Sequence, residues 1–252
     1  MAVIVYGDFN CPYSYLASQR ADQLGRAGVT VDWRAVEHDP SLPATGSRAD
    51  GEKDAWDREI AEVAALALPG ELVPVLPSVI THTEAAVAAY AEAVSDGLSD
   101  ELRHSLFRAI WVQGLHLSSP YEVRRLVTGL TWPQEGVAER LTNPDFPGTV
   151  LRDPDMTRSV RREGGTIALN GVPLTMTGWR RVRQWRQEWL ALPSQVVPTV
   201  IGADEIVRPG IEGLRYLAEL VTSATQLTAL PVQAVPGPPQ GTEHAPAVTA
   251  AR

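Results

Sequence analysis

A chain of 252 residues that holds one cysteine, Cys11, and one lysine, Lys53, among 22 basic side chains is narrow in what it can do with sulfur. One thiol excludes an intramolecular disulfide and an all-cysteine metal site, so redox chemistry has to recruit its second sulfur from another molecule. No apolar run approaches the ~20 residues of a membrane-crossing helix, because prolines and charges interrupt even "AALALPGELVPVLPSVI". The histidines, His38, His82, His104, His116 and His244, show no H-E-x-x-H spacing, and no metal is expected. "REGGTIALNGVPL" has glycines but neither phosphate-loop pattern. The net charge of −8 argues against nucleic-acid and anionic-membrane partners. In the one arginine-rich stretch, "GWRRVRQWRQEW", Val182, Trp185 and Trp189 recur at helical spacing with arginines on the remaining arc, the pattern of a docked helix with a solvated face. The opening "MAVIVYGDF" has no basic start, long apolar core or cleavage site, which predicts the absence of a signal peptide and a cytoplasmic protein.

What is present is strand, turn and helix. "VIVYGDF" is β-branched and aromatic; Asn10, Cys11 and Pro12 then lead into "YSYLASQRADQLGRAG", with apolar residues near helical spacing and a glycine exit. Proline suits the first helical turn, so Cys11 falls at or beside the N-cap. "VTVDWRAVEHD" follows as a second, parallel strand, completing a βαβ unit. Residues 40–55 are polar and turn-forming, and from there to about residue 192 the pattern is mainly helical, including a capping box at Ser119, Pro120 and Glu122 and a similar start at Asp153. "SQVVPTVIGADEIVRPG" gives two β-branched runs around "GADE", a hairpin, and "IEGLRYLAELV" a last amphipathic helix. From about Thr225 the composition turns to proline, glycine and alanine, expected of a disordered tail.

The element order, "DFNCPYSYLA" and "VVPTVIG" together resemble the thioredoxin-fold family of DsbA-type oxidoreductases, kappa-class glutathione transferases and 2-hydroxychromene-2-carboxylate isomerases. The resemblance implies an α/β thioredoxin fold, residues 1–40 and 193–223, with a large all-helical domain, residues 41–192, inserted between its halves and a tail over 224–252. It also implies that the Val197–Pro198 bond is cis and faces the active-site residue, with Pro12, Tyr13, Val197 and Pro198 along the substrate groove. DsbA-type enzymes carry C-x-x-C, whereas Ser14 stands here in the fourth position; the transferases and isomerases carry serine first, whereas Cys11 stands here. His82, in "HTEAA", takes the place of an asparagine that opens a helix near the family's site, and Glu212 lies where relatives hold the polar end of glutathione.

A thiolate is the reactive form of cysteine, and a helix N-terminus lowers the ordinary pKa of ~8.5. Cys11 is therefore expected to be a reactive thiol, with Ser14 able to donate to its sulfur but unable to resolve a mixed disulfide. Asp8, Tyr13 and Tyr15 flank it. The expected function is monothiol thiol–disulfide exchange between Cys11, a small disulfide or thiol substrate and an external low-molecular-weight thiol. Glutathione or another such thiol would be a co-substrate, with no tightly bound cofactor, and a homodimer is compatible with the family. The alternatives are a thiol-dependent transferase or isomerase for a small hydrophobic molecule, and a non-catalytic module that keeps the groove for peptides.

Overall fold

Val3, Val5 and Tyr6 are buried in a strand covered on both faces, and that burial makes the first element, β1 (Val3–Gly7), central rather than peripheral. The structure, a computed structural model, describes residues 2–131, 167–168 and 170–228. Helix α1 (Pro12–Arg26) returns the chain to β2 (Val31–Ala35), which pairs parallel with β1, Val5 opposite Trp33. Far along the chain, β5 (Thr199–Ile201) pairs antiparallel with the other edge of β1, Tyr6 opposite Thr199, and β6 (Val207–Pro209) closes the hairpin. The sheet order is β2-β1-β5-β6. This is the thioredoxin-like arrangement, with helices inserted between its two halves.

Between the halves run α2 (Lys53–Ala65), α3 (Glu84–Asp96), α4 (Ser99–Trp111), α5 (Pro120–Thr131) and α6 (Met176–Leu190). The last helix, α7 (Gly210–Thr228), packs on α1. The stretch is not purely helical: Ser47–Arg48 (β3) and Val79–Ile80 (β4) form a short antiparallel ladder. Residues 40–55 are likewise more ordered than their polarity suggests. Their end forms a 3-10 turn, Ala49–Glu52, that runs straight into α2. At Ser119 the hydroxyl takes the N–H of Tyr121 rather than that of Glu122. Thr225 lies inside α7, so the helix outlasts the expected start of the tail. The expected helix start at Asp153 and the tail beyond residue 228 lie outside the described residues. No helix among the described residues is long and apolar enough to cross a membrane.

Two contacts fix the frame around the site. Trp33 lies so close over Gly7 that a Cβ there would sit 2.3 Å from the indole ring. Arg20 of α1, 1% exposed, bonds Glu71 through Nε at 2.9 Å and Nη2 at 3.0 Å, and donates to the Leu214 carbonyl of α7 at 2.7 Å. One guanidinium therefore ties α1 to both the inserted segment and α7, in a place where its charge has no water to turn to.

Gly7→Ala should lower stability by about 1–3 kcal/mol through overpacking against Trp33, and Glu71→Ala by about 3–5 kcal/mol by stranding the buried Arg20 charge. Urea midpoints of the two variants would measure both; a wild-type midpoint for Glu71→Ala would show that the pair carries no such burden.

Candidate active site

Asp8, Phe9 and Asn10 leave the carboxyl end of β1 and turn, with the Cys11 N–H donating to the Asp8 carbonyl at 3.2 Å. Cys11 is the N-cap of α1, extended at φ −103° and ψ 120°, with Pro12 in the first helical position. The turn-then-proline geometry follows directly from proline's fixed φ and missing N–H. Across the sheet, the β5 pairing brings the segment before Thr199 alongside, and the Val197–Pro198 bond is cis. The Cys11 thiol donates to the Val197 carbonyl, Sγ to oxygen 3.4 Å. Residues 186 positions apart thus meet at one sulfur.

The thiol is 6% exposed. Burial pushes its pKa up to about 12; the Ser14 hydroxyl and N–H pull the other way, while the charges of Asp8 and Glu59 add to the rise. The helix N-terminus was expected to lower this value, and the structure overturns that expectation. A thiolate in a dry site loses more hydration than a helix end and one serine return. The resting sulfur is a protonated donor.

Ser14 is buried one turn into α1 and its hydroxyl accepts the Asp8 N–H at 3.3 Å, so it braces the turn as well as facing the sulfur. The Tyr13 hydroxyl reaches Glu62 of α2 at 2.5 Å; burial, then Glu62, holds its pKa above the ordinary value. Pro12 is buried. The His82 ring turns to Glu37, Nε2 to Oε1 3.1 Å, rather than to Cys11. Glu212 is exposed in the first turn of α7, whose Gly210 N–H donates to the Pro198 carbonyl at 2.7 Å. That helix start abuts the cis-proline turn, but no hydrogen bond or ion pair joins Glu212 to the residues around the thiol among the described residues.

Several polar groups at the site escaped the sequence reading. Glu37 and His38 follow the carboxyl end of β2, beside the turn that follows β1, and the carboxyl ends of parallel strands are where open α/β sheets place ligands. The His38 backbone N–H donates to Asp8 Oδ2 at 2.7 Å, and the His38 Nδ1 meets the same oxygen at 2.8 Å. Burial disfavours the His38 cation, but the Asp8 bond and charge outweigh it and hold the pKa above the usual histidine value. Glu37 and Glu59 are both shifted up, mainly by burial. Glu59 and Glu62, on successive turns of α2, carry no sequence pattern that marks them. Among the described residues, no group of three or more His, Cys, Asp and Glu side chains could hold a metal ion.

The family profile described as DSBA-like thioredoxin domain matches residues 2–188, covering the Cys11 turn and the inserted helices. The chain belongs to the DsbA-like thioredoxin domain family. Solved structures with this fold include a probable DsbA oxidoreductase from Streptomyces coelicolor, at 16% identity and TM-score 0.58 over 98% of this chain and 100% of that one. Others are a 2-hydroxychromene-2-carboxylate isomerase, at 18% identity and TM-score 0.57 over 91% and 98%, and the cytosolic disulfide reductase DsbM from Pseudomonas aeruginosa with GSH, at 14% identity and TM-score 0.54 over 91% and 100%. At these identities the likeness is one of fold. No curated protein sequence matches the chain.

Below its pKa a thiol gains thiolate tenfold per pH unit, so alkylation of Cys11 should keep climbing between about pH 7 and about pH 10. The rate of iodoacetamide labelling, with Cys11→Ser as the blank, checks this. A plateau beginning near or below the ordinary ~8.5 would show that the helix N-terminus wins after all.

Proposed function

We propose that the protein is a thiol–disulfide oxidoreductase of monothiol type, in which Cys11 forms and releases mixed disulfides with small molecules. The observation that carries this is the placement of the lone thiol at the α1 N-cap against the Val197 carbonyl, with Ser14 where a resolving sulfur would stand. Attack by Cys11 on a small disulfide forms the Cys11–S bond as the substrate's S–S bond breaks. The thiol proton ends on the departing sulfur, and a second external thiol reverses the bond to Cys11. Because the resting thiol is protonated, the rate depends on drawing that proton away as the substrate arrives. Low-molecular-weight thiols are the co-substrates; glutathione is one, a choice supported by the DsbM structure with GSH. The site residues in this reading are Cys11 as nucleophile, Ser14 as donor to its sulfur, and Pro12, Tyr13, Val197 and Pro198 along the approach. His82 and Glu212 are more distant contributors. A thiol that is idle unless reduced suits the cytoplasm, and the cytosolic DsbM shares the fold.

A second reading is favoured by the Cys11 proton itself. A buried thiol that donates a hydrogen bond could stabilise the thiolate of a bound external thiol, as a transferase or isomerase for a small hydrophobic molecule would need.

One pair of measurements separates them. Incubation with a small disulfide should add a single half-molecule adduct by intact mass, and Cys11→Ser should abolish both the adduct and exchange turnover. If Cys11→Ser keeps most of a thiol-dependent turnover, the hydroxyl is substituting as donor and the exchange reading is wrong.

A further inference from the structure

Carboxylates from three elements stand at or beside the Cys11 turn. Asp8 and Glu59 act on the thiol electrostatically, Glu62 holds the Tyr13 hydroxyl two residues on, and Glu37 stands beside His38 at the end of β2. The basic side chains that answer them are His38 on Asp8, and His82 with the half-exposed Arg186, 3.7 Å from Glu37. Glu59 and Glu62 form no ion pair among the described residues. Their presence is unhelpful for making a thiolate, since negative charge near the sulfur raises its pKa. Such groups make sense where the incoming molecule is positive.

A second observation concerns the turn that carries Cys11. The side-chain oxygens Asp8 Oδ1 and Asn10 Oδ1, on residues that lead into Cys11, and Thr83 Oγ1 are buried with no hydrogen-bond partner. Asn10 donates to the Thr81 carbonyl at 3.0 Å, which brings the Thr81–Thr83 turn to the same place. Asp8 is fully buried and Asn10 3% exposed. Two of the three orphaned atoms are pure acceptors, so what they lack is a donor. An ammonium group is all donor and carries the charge that the carboxylates favour.

We propose that the small disulfide or thiol serving Cys11 fastest is one of net positive charge, carrying an ammonium group with no carboxylate, and that Glu59 and Glu62 of α2 favour it over net-anionic thiols, so that glutathione serves as a slower co-substrate. This rests on the exchange reading above and specifies its substrate class. In the first step Cys11 sulfur bonds to one sulfur of the disulfide, the S–S bond of that molecule breaks, and the released aminothiol carries away the Cys11 proton. Cys11 is oxidised as the departing sulfur is reduced.

The test uses the full chain and three disulfides: cystamine, which is cationic, bis(2-hydroxyethyl) disulfide, which is neutral, and glutathione disulfide, which is anionic. Second-order rates of adduct formation are each divided by the rate of the same disulfide with a neutral free thiol, to remove intrinsic reactivity. Cystamine should lead and glutathione disulfide trail, by roughly tenfold or more at low ionic strength, the spread shrinking at high salt. Glu59→Gln with Glu62→Gln, its fold checked by circular dichroism, should narrow the spread severalfold. Equal normalised rates, or glutathione disulfide in the lead, overturn the proposal and leave exchange at Cys11 standing. An unchanged spread in the double variant overturns the role of α2. No adduct with any of the three overturns the exchange reading and this inference with it.

Discussion

The pairing of β1 with β5 is the constraint on which the site depends. Tyr6 sits opposite Thr199, and a strand register has no intermediate settings: a slip of one residue would turn every side chain of β5 to the other face. The register is held by burial, since Val5 and Val200 are opposite one another and both fully buried. With that pair fixed, Val197 and Cys11 have only a short run of chain in which to meet. The cost is topological. β1 and β5 are separated in sequence by the whole insertion, and long-range pairing of this kind is slow to form. Arg20 acts on the same problem from the other side of α1, since its single guanidinium requires both Glu71 of the insertion and the Leu214 carbonyl of α7 to be in place.

At the sulfur two effects oppose each other, and magnitude decides between them. The helix end and Ser14 favour the anion, but a helix terminus contributes typically 0.3–1 kcal/mol, up to about 2 in favourable partly buried settings. Desolvation of a fully enclosed ion can shift a pKa by up to about 3–5 units. Each unit is about 1.36 kcal/mol, so enclosure wins. Asp8 and Glu59 push in the same direction as enclosure. The motif that makes a cysteine reactive in an open site is therefore silenced in a closed one. In the proposed exchange, reactivity then depends on a substrate that lowers this cost as it arrives.

The sheet, its parallel βαβ start and the terminal hairpin were legible because their signals are local: β-branched alternation, a proline at the helix entry, turn residues between strands. The packed face of α6 was legible for the same reason, with Trp185 and Trp189 buried at helical spacing. The pairing of Cys11 with Val197 became readable only through family resemblance, since no local pattern links positions so far apart. The sign of the thiol shift was not legible. Sequence shows the helix start but not how deeply it is buried, and the distant groups that act on the sulfur are the Val197 carbonyl and Glu59 of α2. Glu59 and Glu62 look like any acidic pair on a solvated helix. The polar stretch before α2 reads as loop because its composition is that of a surface, whereas its end is wound into a turn by continuity with the helix that follows.

The origins of these groups divide the site into two parts. Cys11, Ser14, Val197 and Pro198 belong to the sheet and its first helix, and so do the turns that set their spacing. Glu59, Glu62 and His82 come from the inserted segment. The first set carries chemistry that any thiol could share: a sulfur, a hydroxyl and a carbonyl in fixed relation. The second set touches that chemistry only through charge and hydrogen bonds, by way of Tyr13 and Glu37. Glu59 and Glu62 lie on α2 and outside the β1–β5 pairing, so under the proposal above changes there would act on the approaching molecule without moving the strand register that holds the sulfur. Of the acidic groups near Cys11, Asp8 belongs to the sheet and Glu59 and Glu62 to the insertion, so the proposed preference for positive substrates is shared between the two parts.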